Sequence, residues 1–226
     1  LYRIDGSDAL DIYSTLAIDH ITVFNKIELK EIKTKSGSLQ IIALPHITKS
    51  RLLTKEEYRN LSTKEQDDLM IKKVKESIES NIQKLDPKIP SILIGHGTLE
   101  TAQFGSEQDL SIGKVLSYPL GYFKHNELDY VGFGHIHKHQ VLWGKNKGES
   151  PVILYAGSLE RVDFGEEDED KGFIYLELEK SKTNIENIKF ISSDPRKLQT
   201  ISCDLTESKD PQLDLETEIK KHNLIG

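Results

Sequence analysis

Cysteine is almost missing: Cys203 is the only one among 226 residues, so no disulfide can form within the chain. That usage fits a reducing compartment. No apolar run approaches the ~20 residues a membrane helix needs, which excludes a helical span. Basic charge is not in excess either. Thirty Lys and Arg face 37 Asp and Glu, a formal net charge of −7, which excludes a uniformly basic nucleic-acid coat but not a local basic groove. Methionine is scarce too: Met70 is alone, and the chain opens on Leu1 without an initiator. This predicts a piece of a longer protein, so the lack of a targeting segment says little about location. Apolar residues are only 36% of the chain and charged residues 30%. Length still suffices for a real core, because chains of this size bury roughly 70% of their unfolded surface.

What is present reads as alternating strands and helices, then mostly strands. Residues 9–16 suggest a short helix, and 21–24, 27–33 and 39–44 suggest strands, helped by the turn at Ser36-Gly37-Ser38. A long helix is predicted from about Thr63 to Leu85, with Ile71, Val74, Ile78, Ile82 and Leu85 at the helical period. Strands follow at 91–95, 129–134, 140–143, 152–156, 172–179 and 185–191. The order suits a layered α/β sandwich rather than a barrel. The acidic run Glu166–Asp170 reads as a solvated loop. Composition shifts at Ser192-Ser193-Asp194-Pro195; beyond it, 197–204 reads as one strand and 211–222 as one charged helix. A lone strand and helix cannot close a core. The expected division is therefore a main domain over 1–191 and the beginning of a second, small α+β domain over 192–226.

Histidines carry the chemistry. His135-Ile136-His137 follows the strand ending at Gly134, and a sharp turn there lets both imidazoles reach one centre. Neutral imidazole is the commonest protein ligand for catalytic metals. Alone, this triplet is equally well read as two loop histidines facing water. Gly95-His96-Gly97 places another histidine directly after a strand, flanked by glycines that permit close backbone approach. Histidines on two strand ends define a crevice of the kind open α/β sheets use for ligands. His20, His46, His125, His139 and His222 lack this context and read as surface or structural residues. Arg161 and Asp163 are possible site residues, though an ion pair holding a loop is at least as good a reading. Lys114, Lys124, Lys138, Lys145 and Lys147 could touch phosphates non-specifically.

Five blocks in fixed order over roughly 80 residues carry a resemblance. They are GHGTLETA from Gly95, FGSE from Phe104, DYVGFGHIHK from Asp129, YAGSLERVDFGEE from Tyr155 and KGF from Lys171. The G-H-x-H element is similar to that of calcineurin-like metallophosphoesterases generally, and the GSLERVDFGE block resembles the SbcD branch of nuclease subunits. The resemblance implies a partial αββα metallophosphoesterase sandwich followed by the start of a capping domain. It implies two Mn²⁺ ions, with Mg²⁺ possible, His96 and His135 on one metal and His137 on the other. The bridging Asp, an Asn ligand and the catalytic His of such enzymes have no counterpart here, so no catalytic residue is expected in this chain. The implied activity is 3′–5′ double-strand exonuclease and single-strand endonuclease action at DNA ends in break repair, recombination and replication. Implied partners are DNA, an SbcC-type ATPase and a second copy in a full-length homodimer, and the implied location is cytoplasmic, with no membrane; of the lysines read above as phosphate contacts, Lys114 and Lys138 are the DNA-binding candidates. Gln108 and His139 depart from the family pattern, where a basic residue and a proline are usual. Two other readings stay open: a phosphatase or phosphodiesterase of the same superfamily, and a non-catalytic subunit that docks the ATPase or DNA.

Overall fold

The computed structural model describes residues 21–105, 116–146, 149–181 and 185–222. The helix expected at 9–16 lies outside them. A central sheet organises the chain. Its strands β1 (Glu28–Thr34), β2 (Gly37–Leu44), β3 (Ser91–His96), β6 (Tyr130–Gly134), β8 (Val152–Tyr155) and β7 (Gln140–Trp143) stand side by side in that order. β2, β3, β6 and β8 run parallel, and antiparallel β1 and β7 close the two edges. The α/β class is the one the alternating pattern predicts. Two small pairs complete the strands: parallel β4 (Thr98–Leu99) with β5 (Ser117–Tyr118), and antiparallel β9 (Gly172–Leu176) with β10 (Ile188–Ser192).

Short helices α1 (Lys49–Leu52) and α2 (Lys55–Tyr58) lead into α3 (Thr63–Ile82). The buried residues of α3 include Met70, Val74, Ile78 and Ile82, at the spacing the sequence shows. Val74, Ile78 and Ile82 join Ile42, Leu93, Val131, Phe133 and Ile153 in the larger core, on one face of the sheet. The alternate strand residues Ile41, Ile92, Tyr130 and Leu154 pack on the other face with Ile174, Leu176 and Ile188 of β9 and β10. Strand periodicity of two thus divides the central residues between two layers.

The start of α3 is fixed by a reciprocal cap. Ser62 Oγ accepts from the Glu65 amide, and the Glu65 carboxylate accepts from the Ser62 amide at 2.8 Å. The Ser62 hydroxyl, donating to the same carboxylate at 2.6 Å, and then the Ser62 amide hold the Glu65 carboxyl below its ordinary pKa. Ser62→Ala is expected to cost about 1 kcal/mol, read as a lower urea midpoint with unchanged slope.

Residues 21–24 form no strand, and 197–204 form none either. Both segments have strand-like composition, but strands need a partner to supply backbone hydrogen bonds. The segment after β10 instead hydrogen-bonds to the loop before β9: the Ser193 amide to Lys171 O at 3.1 Å, the Arg196 amide to the Glu160 carboxylate at 3.0 Å, and Arg161 to Arg196 O at 2.8 Å. A final helix, α4 (Pro211–Lys221), is capped by Asp210 and leaves Leu213, Leu215 and Ile219 exposed. Among the described residues, no helix is long and apolar enough to cross a membrane.

Candidate functional site

Register explains how the histidines meet. In the parallel pair β3–β6, His96 lies opposite Gly134, so His135 emerges beside it. In the pair β2–β3, Leu44 lies opposite Gly95, so the chain leaving β2 brings His46 to the same edge. His96 and His135 are in edge contact with ring centroids 5.3 Å apart, and the His46 ring centroid lies 6.2 Å from that of His96. All three occupy the C-terminal ends of parallel strands, where open α/β sheets place ligands. His135 takes φ = +102°. That region is uncommon for a non-glycine residue and costs on the order of 1–3 kcal/mol, so the surrounding structure must enforce it. It is the sharp turn after Gly134 that the sequence anticipates.

Tyr155 pins the chain that leaves β3. Its hydroxyl donates to Gly97 O at 2.7 Å and accepts from the Leu99 amide at 2.9 Å, fixing the turn that follows His96. Burial pushes the Tyr155 phenol well above its ordinary pKa, so it remains a neutral donor. An apolar cleft of about 770 Å³ opens beside His96, walled by Phe24, Ile41, Ala43 and Ile94.

His137 is held differently. Its Nδ1 lies 2.8 Å from Glu166 Oε1, and its own carbonyl accepts from the Ser158 amide at 3.0 Å. Glu166 and Lys171 are buried, and Lys171 Nζ stands 2.9 Å from Glu166 Oε2 and 2.8 Å from Glu169 Oε2. The acidic run is therefore not a simply solvated turn: its first member is fully buried against a lysine. Burial raises the Glu166 pKa, but the Val162 amide, Lys171 and His137 together outweigh it, and the carboxyl sits below its ordinary value. Among the described residues, Arg161 and Asp163 form no ion pair. Arg161 donates to the carbonyls of Glu166, Glu169 and Arg196, and Asp163 accepts from the Gly165 amide.

The other sequence candidates are scattered. Lys114 and Lys147 lie outside the described residues. Lys138 directly follows His137, and its carbonyl accepts from Gln140 at 3.3 Å. Lys124 Nζ sits 3.3 Å from the Trp143 ring centroid, a cation–π contact. His139 stacks on Phe190 and bonds Tyr155 O, a structural position. Sequence reasoning missed His46, Glu166 and Lys171. Lys171 opens one of the five sequence blocks, but nothing in its local pattern signals burial.

His96 is suited to ligation. Partial burial lowers its pKa first, and repulsion from His135 and His46 adds to this, although part of the ring is exposed. A neutral imidazole offers a lone pair to a cation. NMR titration of the metal-free chain is expected to place His96 below the ordinary 6.5. A base whose folded pKa is depressed binds fewer protons folded than unfolded. Stability should therefore be intact above pH 6.5 and fall as acid titrates the unfolded state first.

The donors present would fit one side of a divalent metal's shell: the contacting rings of His96 and His135, with the His96 pKa held down, and, two residues along the chain from His135, a histidine hydrogen-bonded to a carboxylate. They do not complete it. Among the described residues, no group of three or more His, Cys, Asp or Glu side chains is placed to hold an ion.

Fold and site thus define an α/β protein that gathers His46, His96 and His135 at its parallel strand ends. No family model matches the chain. Among curated proteins it is similar to SbcD, the D component of the nuclease SbcCD, of Staphylococcus epidermidis, 27% identical over 204 residues. The alignment covers 88% of this chain and 50% of that protein, so the chain spans about half the length of the relative. This similarity is to the same nuclease-subunit family that the sequence blocks resemble.

Proposed function

We propose that this chain is the part of an SbcD-type DNA nuclease that supplies His96, His135 and His137 to a pair of Mn²⁺ ions, with Mg²⁺ as a substitute. The observation that carries this reading is the delivery of His96 and His135, side by side, by adjacent parallel strands. Two metals roughly 4 Å apart serve phosphodiester hydrolysis by activating water and stabilising the departing oxygen. The surrounding sheet then corresponds to part of a layered metallophosphoesterase sandwich, with residues 192–226 opening a capping domain. The relative's name, which makes it one component of the SbcCD nuclease, supports an SbcC-type ATPase as partner and DNA as substrate. Exonuclease action at 3′ ends, single-strand endonuclease action, dimerisation, DNA contacts by Lys138 and cytoplasmic work in break repair, recombination and replication belong to the same proposal.

A second reading, a non-catalytic docking protein, has one observation in its favour: the described residues do not by themselves complete a metal shell. The two readings separate in a cleavage assay on blunt duplex DNA with Mn²⁺. Three proteins are compared: this chain, a version completed with the remaining sequence of the relative, and that version carrying His135→Ala. Three neutral imidazoles bring no negative charge to hold two dications together, so the chain alone should cut negligibly. The completed protein should cut, and His135→Ala should reduce cutting by orders of magnitude. An inactive completed protein would favour docking. Robust cutting by the chain alone, lost on His135→Ala, would mean that it holds a complete site.

A further inference from the structure

Two buried, oppositely charged residues converge on one half-exposed ring. Glu166 Oε1 faces His137 Nδ1 at 2.8 Å, while Oε2 receives both Lys171 Nζ and the Val162 amide at 2.9 Å. Lys171 Nζ also donates to the His137 carbonyl at 3.3 Å, so the same pair grips side chain and backbone of one residue. The side chains of Glu166 and Lys171 are 1% and 0% exposed, whereas that of His137 is 33% exposed. Burying charges is costly unless they are paired, and a loop histidine facing water needs no such support.

The network dictates which nitrogen carries the proton. A carboxylate only accepts hydrogen bonds, so Nδ1 must donate to Oε1. In the neutral ring the lone pair then lies on Nε2. We infer that Glu166, braced by Lys171, is a positioning residue that locks His137 in the Nδ1–H tautomer and so makes Nε2 its ligating atom. This rests on the proposed metal reading. It matches the general logic of metal-ligating histidines, whose second nitrogen is tied to a carboxylate or carbonyl that fixes tautomer and orientation.

Glu166→Gln is an unusually clean test because the substitution is isosteric and its orientation is forced. Lys171 and the Val162 amide are both donors, so the Gln carbonyl must take the Oε2 position. Its amide NH₂ then faces His137 Nδ1 as a donor, which requires the opposite tautomer. Nitrogen-15 NMR of the metal-free, 226-residue chain, at a pH well above the imidazole range, should show a proton on Nδ1 in the wild type. In Glu166→Gln the proton should move to Nε2. Zn²⁺, used alone as the probe against a fluorescent chelator, should bind about 10–100-fold more weakly to the variant. A wild-type proton on Nε2, or an unchanged tautomer in folded Glu166→Gln, overturns the lock. A flipped tautomer with unchanged Zn²⁺ affinity overturns its ligand role. If Glu166→Gln does not fold, the wild-type spectrum decides alone. Failure of the metal reading looks different: His96→Ala and His137→Ala would both bind Zn²⁺ as the wild type does, whatever the tautomer.

Discussion

Replacing Lys171 by alanine is expected to lower the free energy of unfolding by about 3–5 kcal/mol. Its ammonium is fully buried between Glu166 and Glu169, at 2.9 and 2.8 Å. Removing it leaves one carboxylate wholly inside the protein and another nearly so, without their cation. The desolvation penalty of a buried charge then stands uncompensated. Urea unfolding followed by circular dichroism measures the loss, and a cost below about 1 kcal/mol, the range of surface ion pairs, would contradict the buried network. Adding Glu166→Gln to the same chain should restore part of the stability, because the stranded charge goes with its partner. Acid should act in the same direction as the lysine deletion. The Glu166 pKa is depressed in the fold, so its contribution is complete above its ordinary value of 4.5 and disappears as pH falls through the lowered one.

Gly157→Ala should be nearly as damaging, by roughly 2–5 kcal/mol, for a steric reason. Gly157 has φ = +85°, a conformation that strains any side chain. A Cβ there would also lie 2.9 Å from both His137 O and His139 N. Those are backbone atoms of the histidine segment, so relief requires moving the segment itself. The chemical shifts of His137 and His139 should change along with the unfolding midpoint. Gly121→Ala is the control, since nothing lies within 4 Å of its added Cβ and the change should be near neutral. A Gly157→Ala chain as stable as that control would show that the 137–139 turn is not held by this close approach.

The strand-end histidines were legible because their signal is local. An apolar run followed at once by Gly-His says that a strand stops and a ring is presented, and the β3–β6 register then places His96 beside His135. His46 was not legible: Pro45 separates it from β2, and only the pairing of β2 with β3 shows where it goes. Glu166 was hidden for a different reason. Within a run of five acidic residues, water is the natural partner of each, and nothing local singles out the one that meets Lys171. The long helix was readable to within a few residues because its apolar period matches the core it covers. The segment 197–204 reads as a strand from its sequence yet forms none, because composition describes a preference and pairing requires a neighbour.

Anomalous diffraction at the manganese edge tests the central claim most directly. Crystals of the chain completed to the length of its relative, grown with Mn²⁺, should show two neighbouring metal peaks at the C-terminal ends of β3 and β6. His96, His135 and His137 should lie within coordination distance of them, with His137 presenting Nε2. Manganese bound elsewhere, with those three imidazoles left unligated, would contradict the account.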